Sequence, residues 1–252
     1  MSHQEYLSSF LSMPFAEAYT DLQFNDANPD TITRAASGVA FDDVFQIGDT
    51  VTPVGSASND STFTITAVTA TTLTVSGDLV AEGTADVAAT LNGTRTNFIH
   101  DYSGSPEYAS YTPPAGKIAI IRGMVISLED TGSPASVDYG ILSGLTNGMD
   151  FDVAHNGVSQ FYLGNIKSNG DYTRYASKVE EFQFGGAGAF NIRVVHNWDA
   201  AGTALVLYGN DPDSFRVNFQ DSFAGMDFHT IYLSGVLLAD TKANRSRLIN
   251  WL

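Results

Sequence analysis

The sequence predicts an all-β protein: a small β module, then a larger β-sandwich or jelly-roll-like domain, with short helical segments at the termini. Three observations predict it. Residues 61–77, STFTITAVTATTLTVSG, place Thr at nearly every second position against apolar neighbours, the period-two pattern of strands with one wet face. Asn-Gly, the dipeptide best suited to tight hairpins with positive φ, stands at 92–93, 147–148, 156–157 and 169–170. The composition favours strands and turns, with 23 Gly, 16 Phe and 11 Tyr in 252 residues.

Residues 1–40 read as an N-terminal arm and linker. Tyr6, Leu7, Phe10 and Leu11 recur at spacings of three and four, giving one apolar helical face that Pro14 ends. So short an amphipathic helix must dock on a domain or a neighbouring subunit. The turn-rich NDANPDTITRAASG completes the linker.

Residues 41–95 form the small module. A strand around Thr50–Val54 is closed by a Gly/Ser/Asn/Asp loop. TFTITAV then puts Phe63, Ile65 and Ala67 inward and Thr62, Thr64 and Thr66 outward, and TTLTVSG puts Leu73 and Val75 inward. Threonine on the wet face is a strand former, because β-branching suits the pleat. Pro53 cannot donate to a ladder and marks an edge position.

Residues 96–240 form the sandwich. After a Pro-Pro-Ala-Gly turn, KIAIIRGMVISLED is the longest strand. Ile118, Ile120, Met124, Ile126 and Leu128 lie on one face with Arg122 among them; Lys117, Ala119, Ile121, Val125 and Glu129 lie on the other. Two apolar faces require cover on both sides. Further strands are expected at MDFDVA, SQFYLG, VEEFQF, AFNIRVVHN, ALVLYG, FRVNFQD and FHTIYLSGVLLA. Residues 241–252 are a basic tail, with a short helix capped at Asp240 or Thr241.

Two stretches carry a resemblance. FDDVFQIGDTVTPVGSASNDSTFTITAVTATTLTVSG, residues 41–77, resembles small β-modules of tailed-bacteriophage structural proteins: Gly-Asp-x-Val, a Gly/Ser/Asn turn, then Thr-Phe-x-Ile and Thr-Leu-Thr-Val. The entry PPAGKIAIIRG is similar to the first strand of β-sandwich domains in phage head and tail proteins. The resemblance implies a virion component that works through subunit contacts.

The totals narrow the classes further. A formal charge of −16, from 28 acidic and 12 basic side chains, repels phosphate backbones and argues against direct nucleic-acid binding. The absence of Cys removes disulfides, thiolate nucleophiles and Cys-ligated metals. Neither a signal peptide nor a membrane-spanning run is legible, so assembly in a host cytoplasm is expected.

No reaction is legible either. His3, His100, His155, His196 and His229 form no spaced metal-ligand pair, and no Gly-x-Ser-x-Gly elbow occurs. FGGAGAF lacks the Lys-Ser/Thr of a phosphate loop and reads as a bend. Glu180 and Glu181 are adjacent, so a strand sends them to opposite faces. The acidic loops NDANPD and GNDPDS hold oxygens suited to Ca²⁺ but match no twelve-residue Ca²⁺ loop, and Asx-turns explain them.

The expectation is a non-enzymatic structural protein of a tailed-phage virion, without cofactor or metal. A capsid decoration or cement protein is placed first. The alternatives are a tail, neck or baseplate component, or a receptor- or carbohydrate-binding module with a shallow site at Trp198. Its partners would be other virion proteins, major capsid or tail subunits, and copies of itself, with a trimer as the first candidate, and neither nucleic acid nor membrane. The candidate assembly contacts are Tyr6, Leu7, Phe10, Leu11, Lys242, Arg245, Arg247 and Trp251, on terminal arms that cross to another subunit.

Overall fold

Backbone ladders sort the described strands into three all-antiparallel sheets. The computed structural model describes residues 5–35, 38–130, 145–167, 178–182, 190–198 and 204–249. Among them the chain is all-β, with two short helices, and it divides into two units. One comprises Met13–Asn97, the other Met1–Ser12 and Phe98–Leu252.

The first unit is a closed six-stranded barrel in the order β2 (Met13–Asn25), β3 (Asp30–Arg34), β6 (Thr72–Ser76), β5 (Phe63–Thr69), β4 (Thr50–Val54), β7 (Glu82–Arg95). Closure removes every free edge. The core holds Leu22, Phe24, Ile32, Val51, Phe63, Ile65, Leu73, Val75 and Leu91. The short helix α1 (Phe41–Val44) adds Phe41, which meets Tyr19 and Phe45 edge to face. Arg95 and Asp49 form a buried bidentate pair at 3.2 and 2.9 Å, and Arg95 also donates to the Val44 carbonyl at 2.7 Å. Burial pushes the Asp49 carboxyl above its ordinary range, and Arg95 pulls against it.

Three expectations for this unit are corrected. Its boundary is Met13, not residue 41: the stretch read as arm and linker supplies β2 and β3. Phe63 and Ile65 face inward as expected, but Ala67 is exposed. A bulge between Ile65 and Ala67 leaves Thr66 without an opposite number, flips the phase, and turns Val68 toward the core instead. Asn92-Gly93 is no turn but lies within β7, where Gly93 pairs with Phe15, whose ring occupies the space a Cβ would fill. Pro53 pairs only with β7, beyond the end of the β4–β5 ladder, in keeping with its edge role.

The second unit packs two sheets. The larger has the order β1 (Glu5–Phe10), β16 (Phe228–Ala239), β9 (Lys117–Asp130), β13 (Phe190–Asn197), β12 (Lys178–Phe182), and β14 (Leu205–Tyr208) also pairs with β9. The smaller runs β11 (Val158–Ile166), β10 (Met149–His155), β15 (Asp213–Phe219), β8 (Glu107–Tyr111). Asn156-Gly157 makes the β10–β11 hairpin with both φ angles positive, as its dipeptide predicts, and Asn147-Gly148 precedes β10. Asn169-Gly170 and residues 183–189, which hold most of FGGAGAF, lie outside the described residues.

The N-terminal helix is corrected to a strand. A spacing of four satisfies both a helical turn and two strand periods, so Tyr6/Phe10 and Leu7/Leu11 pair off equally well on a strand, and the ladder with β16 decides it. The two faces of β9 are also corrected. Gly235 opposes Ile121 and Ser234 opposes Gly123, so Arg122 is bulged out and the phase reverses there. Ala119 and Ile121 before the bulge, and Met124, Ile126 and Leu128 after it, are buried, while Ile120 is only half-buried. Ile118 and Ala119 are both fully covered, as a strand sheltered on two sides requires.

Two backbone bonds fix where the sandwich chain is interrupted. Leu11 N donates to the Ile231 carbonyl at 2.8 Å, and Phe98 N donates to the His229 carbonyl at 2.8 Å. The residues flanking the barrel segment are thus anchored two positions apart on β16.

Candidate functional site

β1 lies at the end of its sheet. One side of its ladder is made with β16, from Glu5 opposite Leu237 to Phe10 opposite Tyr232. Among the described residues no strand pairs with its other side. Leu7 and Leu11 are buried in their own unit, which corrects their assignment to an intersubunit contact. Tyr6 and Phe10 point the other way, 89% and 52% exposed. Phe10 rests edge to face on Tyr232 at 5.3 Å, Tyr232 Oη donates to Ser8 Oγ at 2.7 Å, and Lys117 holds Glu5 at 2.6 Å. The strand is therefore fixed from within, with two aromatic rings at its surface.

The C-terminal segment is the helix α2 (Lys242–Ile249). Thr241 is the cap, its Oγ1 accepting from Asn244 N at 3.2 Å, whereas Asp240 serves another purpose. Its carboxylate binds Arg245 through two bonds of 2.6 Å, and Arg245 also reaches Asp211 at 2.8 Å and lies over the Tyr208 ring. The guanidinium holds the Asp240 carboxyl below its ordinary range. The expectation that Arg245 reaches an acidic neighbour is corrected: it is fastened to its own domain. Lys242 and Arg247 are exposed, and Trp251 lies outside the described residues.

The threonine-rich exterior of the barrel carries rows such as Thr94, Thr50 and Thr64 across three strands. Its hydroxyls bond to one another, as in Thr52–Thr62 at 2.7 Å, or to backbone, as in Thr66 to the Thr74 carbonyl at 3.2 Å. That arrangement shields the ladder and positions no reacting group.

Several acidic side chains are likewise engaged. Asp30 accepts from Ala27 N at 2.9 Å and Leu79 N at 2.7 Å, tying the NDANPD turn to the barrel. In GNDPDS, Asp213 binds His155 at 2.9 Å and Tyr208 N at 3.0 Å, and its bond raises the His155 pKa. Asp221 gathers the backbone N–H groups of Thr146, Asn147 and Gly148. Among the described residues no group of three or more His, Asp or Glu side chains is placed to hold a metal ion. No described helix is long and apolar enough to cross a membrane.

Trp198 does not head a shallow, tyrosine-lined loop site. It lines an apolar cavity of about 290 Å³ with Met124, Phe151, Leu163, Ile166 and His196, and its ring meets Phe215 at 6.0 Å. The surface that sequence reasoning missed is the outward face of the smaller sheet, where Tyr108 and Tyr162 are 45% and 57% exposed. Compared with protein-family models, curated proteins and solved structures, the chain has no match.

Proposed function

We propose that the protein is a structural component of a tailed-phage virion, acting without chemistry of its own, with a capsid decoration role placed before a tail, neck or baseplate role. One observation carries this reading. Among the described residues β1 is an edge strand with no partner on its outer side, held in place from its own unit, that presents Tyr6 and Phe10 to the surroundings. A free edge offers its N–H and C=O groups as a template for another chain, and natural proteins block such edges unless they are used. Aromatic rings beside the ladder supply the apolar anchors of an interface. The strongly acidic chain keeps unassembled copies apart, so a partner surface of weaker or opposite charge is favoured over indiscriminate self-association.

The experiment is a cryo-electron microscopy map of the particle made from the genome that encodes this chain, with and without Tyr6→Lys. The expected map shows β1 paired or packed against another subunit. Tyr6→Lys, at a residue 89% exposed, should leave the thermal midpoint of the isolated protein unchanged and lower incorporation about tenfold or more. A β1 edge facing solvent in the map, or incorporation untouched by the added charge, overturns the reading.

A further inference from the structure

The smaller sheet buries one face and presents the other as an ordered polar surface. Directly paired residues of antiparallel strands share a face. The register therefore sets Tyr108, Asn218, Asp150 and Asn165 in one row across β8, β15, β10 and β11, and Arg216, Asp152 and Tyr162 in the next. Three strand spacings make the row about 14 Å long.

Its side chains are locked by one another. The Asp150 carboxylate accepts from Tyr162 Oη at 3.1 Å, Asn165 Nδ2 at 2.7 Å and Gln220 Nε2 at 2.7 Å. Asp152 takes a bidentate bond from Arg216 at 2.9 and 2.6 Å, and that guanidinium lies 4.4 Å from the centre of the Tyr108 ring. Such fixing removes the entropy that flexible polar groups lose when they bind. In the middle of the first row, Asn218 Oδ1 is buried and has no hydrogen-bond partner among the described residues. Buried acceptors are seldom left so, and a donor reaches this one only with a small shift of the side chains around it.

We propose that this face binds a neutral oligosaccharide, laid across the strands over these two rows, from Tyr108 on β8 to Tyr162 on β11. A sugar ring needs two things from a protein: a flat apolar surface for its C–H face, and planar side chains whose donors and acceptors match its hydroxyls. Tyrosine supplies the first with little rotamer entropy, and Asn, Asp, Gln and Arg supply the second. Two or three pyranose rings span a row of about 14 Å. The charge selects among glycans. Among the described residues Asp150 is met by three neutral donors and no cation, on a chain of net charge −16, so sulfated and uronic-acid sugars are repelled. The site lies on strands other than β1 and stands or falls independently of the assembly reading.

The test applies the full-length chain to an array of neutral, amino and anionic oligosaccharides and titrates the bound ones by calorimetry. Neutral oligosaccharides should be retained and anionic ones not. Tyr162→Ala should weaken binding about tenfold or more, with Tyr162→Phe, which keeps the ring, close to the parent. Asn218→Ala should weaken it as well. Thermal midpoints read alongside separate lost binding from lost folding, and Tyr162→Ala, on an exposed edge strand, decides the matter if a second variant unfolds. Three results would each overturn the proposal: no neutral sugar retained, a preference for anionic ones, or Tyr162→Ala altering only self-association.

Discussion

His229 sits on β16 with no exposed surface, its ring within 4.8 Å of Phe223 and 5.5 Å of Phe219 by centroid, and Phe98 beyond at 6.2 Å. Burial strips an imidazolium of its hydration and outweighs the opposing pull of the Phe98 backbone, lowering the His229 pKa to about 3. The unfolded chain takes up this proton below a pH of about 6.5, whereas the folded chain refuses it until far lower. Stability tied to the neutral ring is therefore complete above about 6.5 and falls by about 1.4 kcal/mol for each pH unit below it, down to the folded pKa. Denaturant melts of the parent and His229→Leu between pH 7 and 4 should show a shallower decline in the variant. Equal slopes would place the acid sensitivity elsewhere.

At the scale of elements, bulges decide which faces are buried. Gly235 sits at the β9–β16 bulge, where an added Cβ would lie 2.0 Å from the Ile120 carbonyl oxygen. That neighbour is backbone and cannot swing aside. Gly235→Ala should therefore cost about 3 kcal/mol in an equilibrium melt, and a loss within experimental error would mean the strands part without penalty. Bulges also mark the limit of what the sequence discloses. Phe63 and Ile65 were legible as core because alternation on β5 is unbroken up to Thr66, and Leu73 and Val75 because it is unbroken throughout β6. Ala67 and Ile120 were not, because a single extra residue inverts the phase without changing local composition. β2 and β3 were hidden for another reason. Their turn is polar and Pro-containing, and Asp30–Arg34 is held as a strand between β2, just before it, and β6, far along the chain. The exposed aromatic residues at β1 were named from sequence, but which of the four face outward depended on the ladder with β16. The row from Tyr108 to Asn165 was beyond reach, since it assembles positions 108, 218, 150 and 165 from four separate strands.

At the scale of the molecule, the two-unit division was legible and its boundary was not. The barrel is an insertion between β1 and the rest of the sandwich. Because Leu11 and Phe98 are anchored two positions apart on β16, a short bridge can replace what lies between them. Exchanging 13–97 for a brief Gly/Ser linker should leave a strand-rich protein by circular dichroism that melts cooperatively. An aggregated or unfolded product would show that the sandwich depends on the barrel. The pairing of β1 with β16 also has a consequence for biosynthesis. β1 leaves the ribosome long before its ladder partner β16, with the barrel and most of the described sandwich strands translated between them. Barrel strands are complete long before that, and units finished early fold early. Leu7 and Leu11 thus stay uncovered through most of synthesis, and closing so long a loop is a slow, late event. Arrival of β16 then draws both leucines under cover and leaves Tyr6 and Phe10 outside, so the candidate contact edge exists only once β16 has been made.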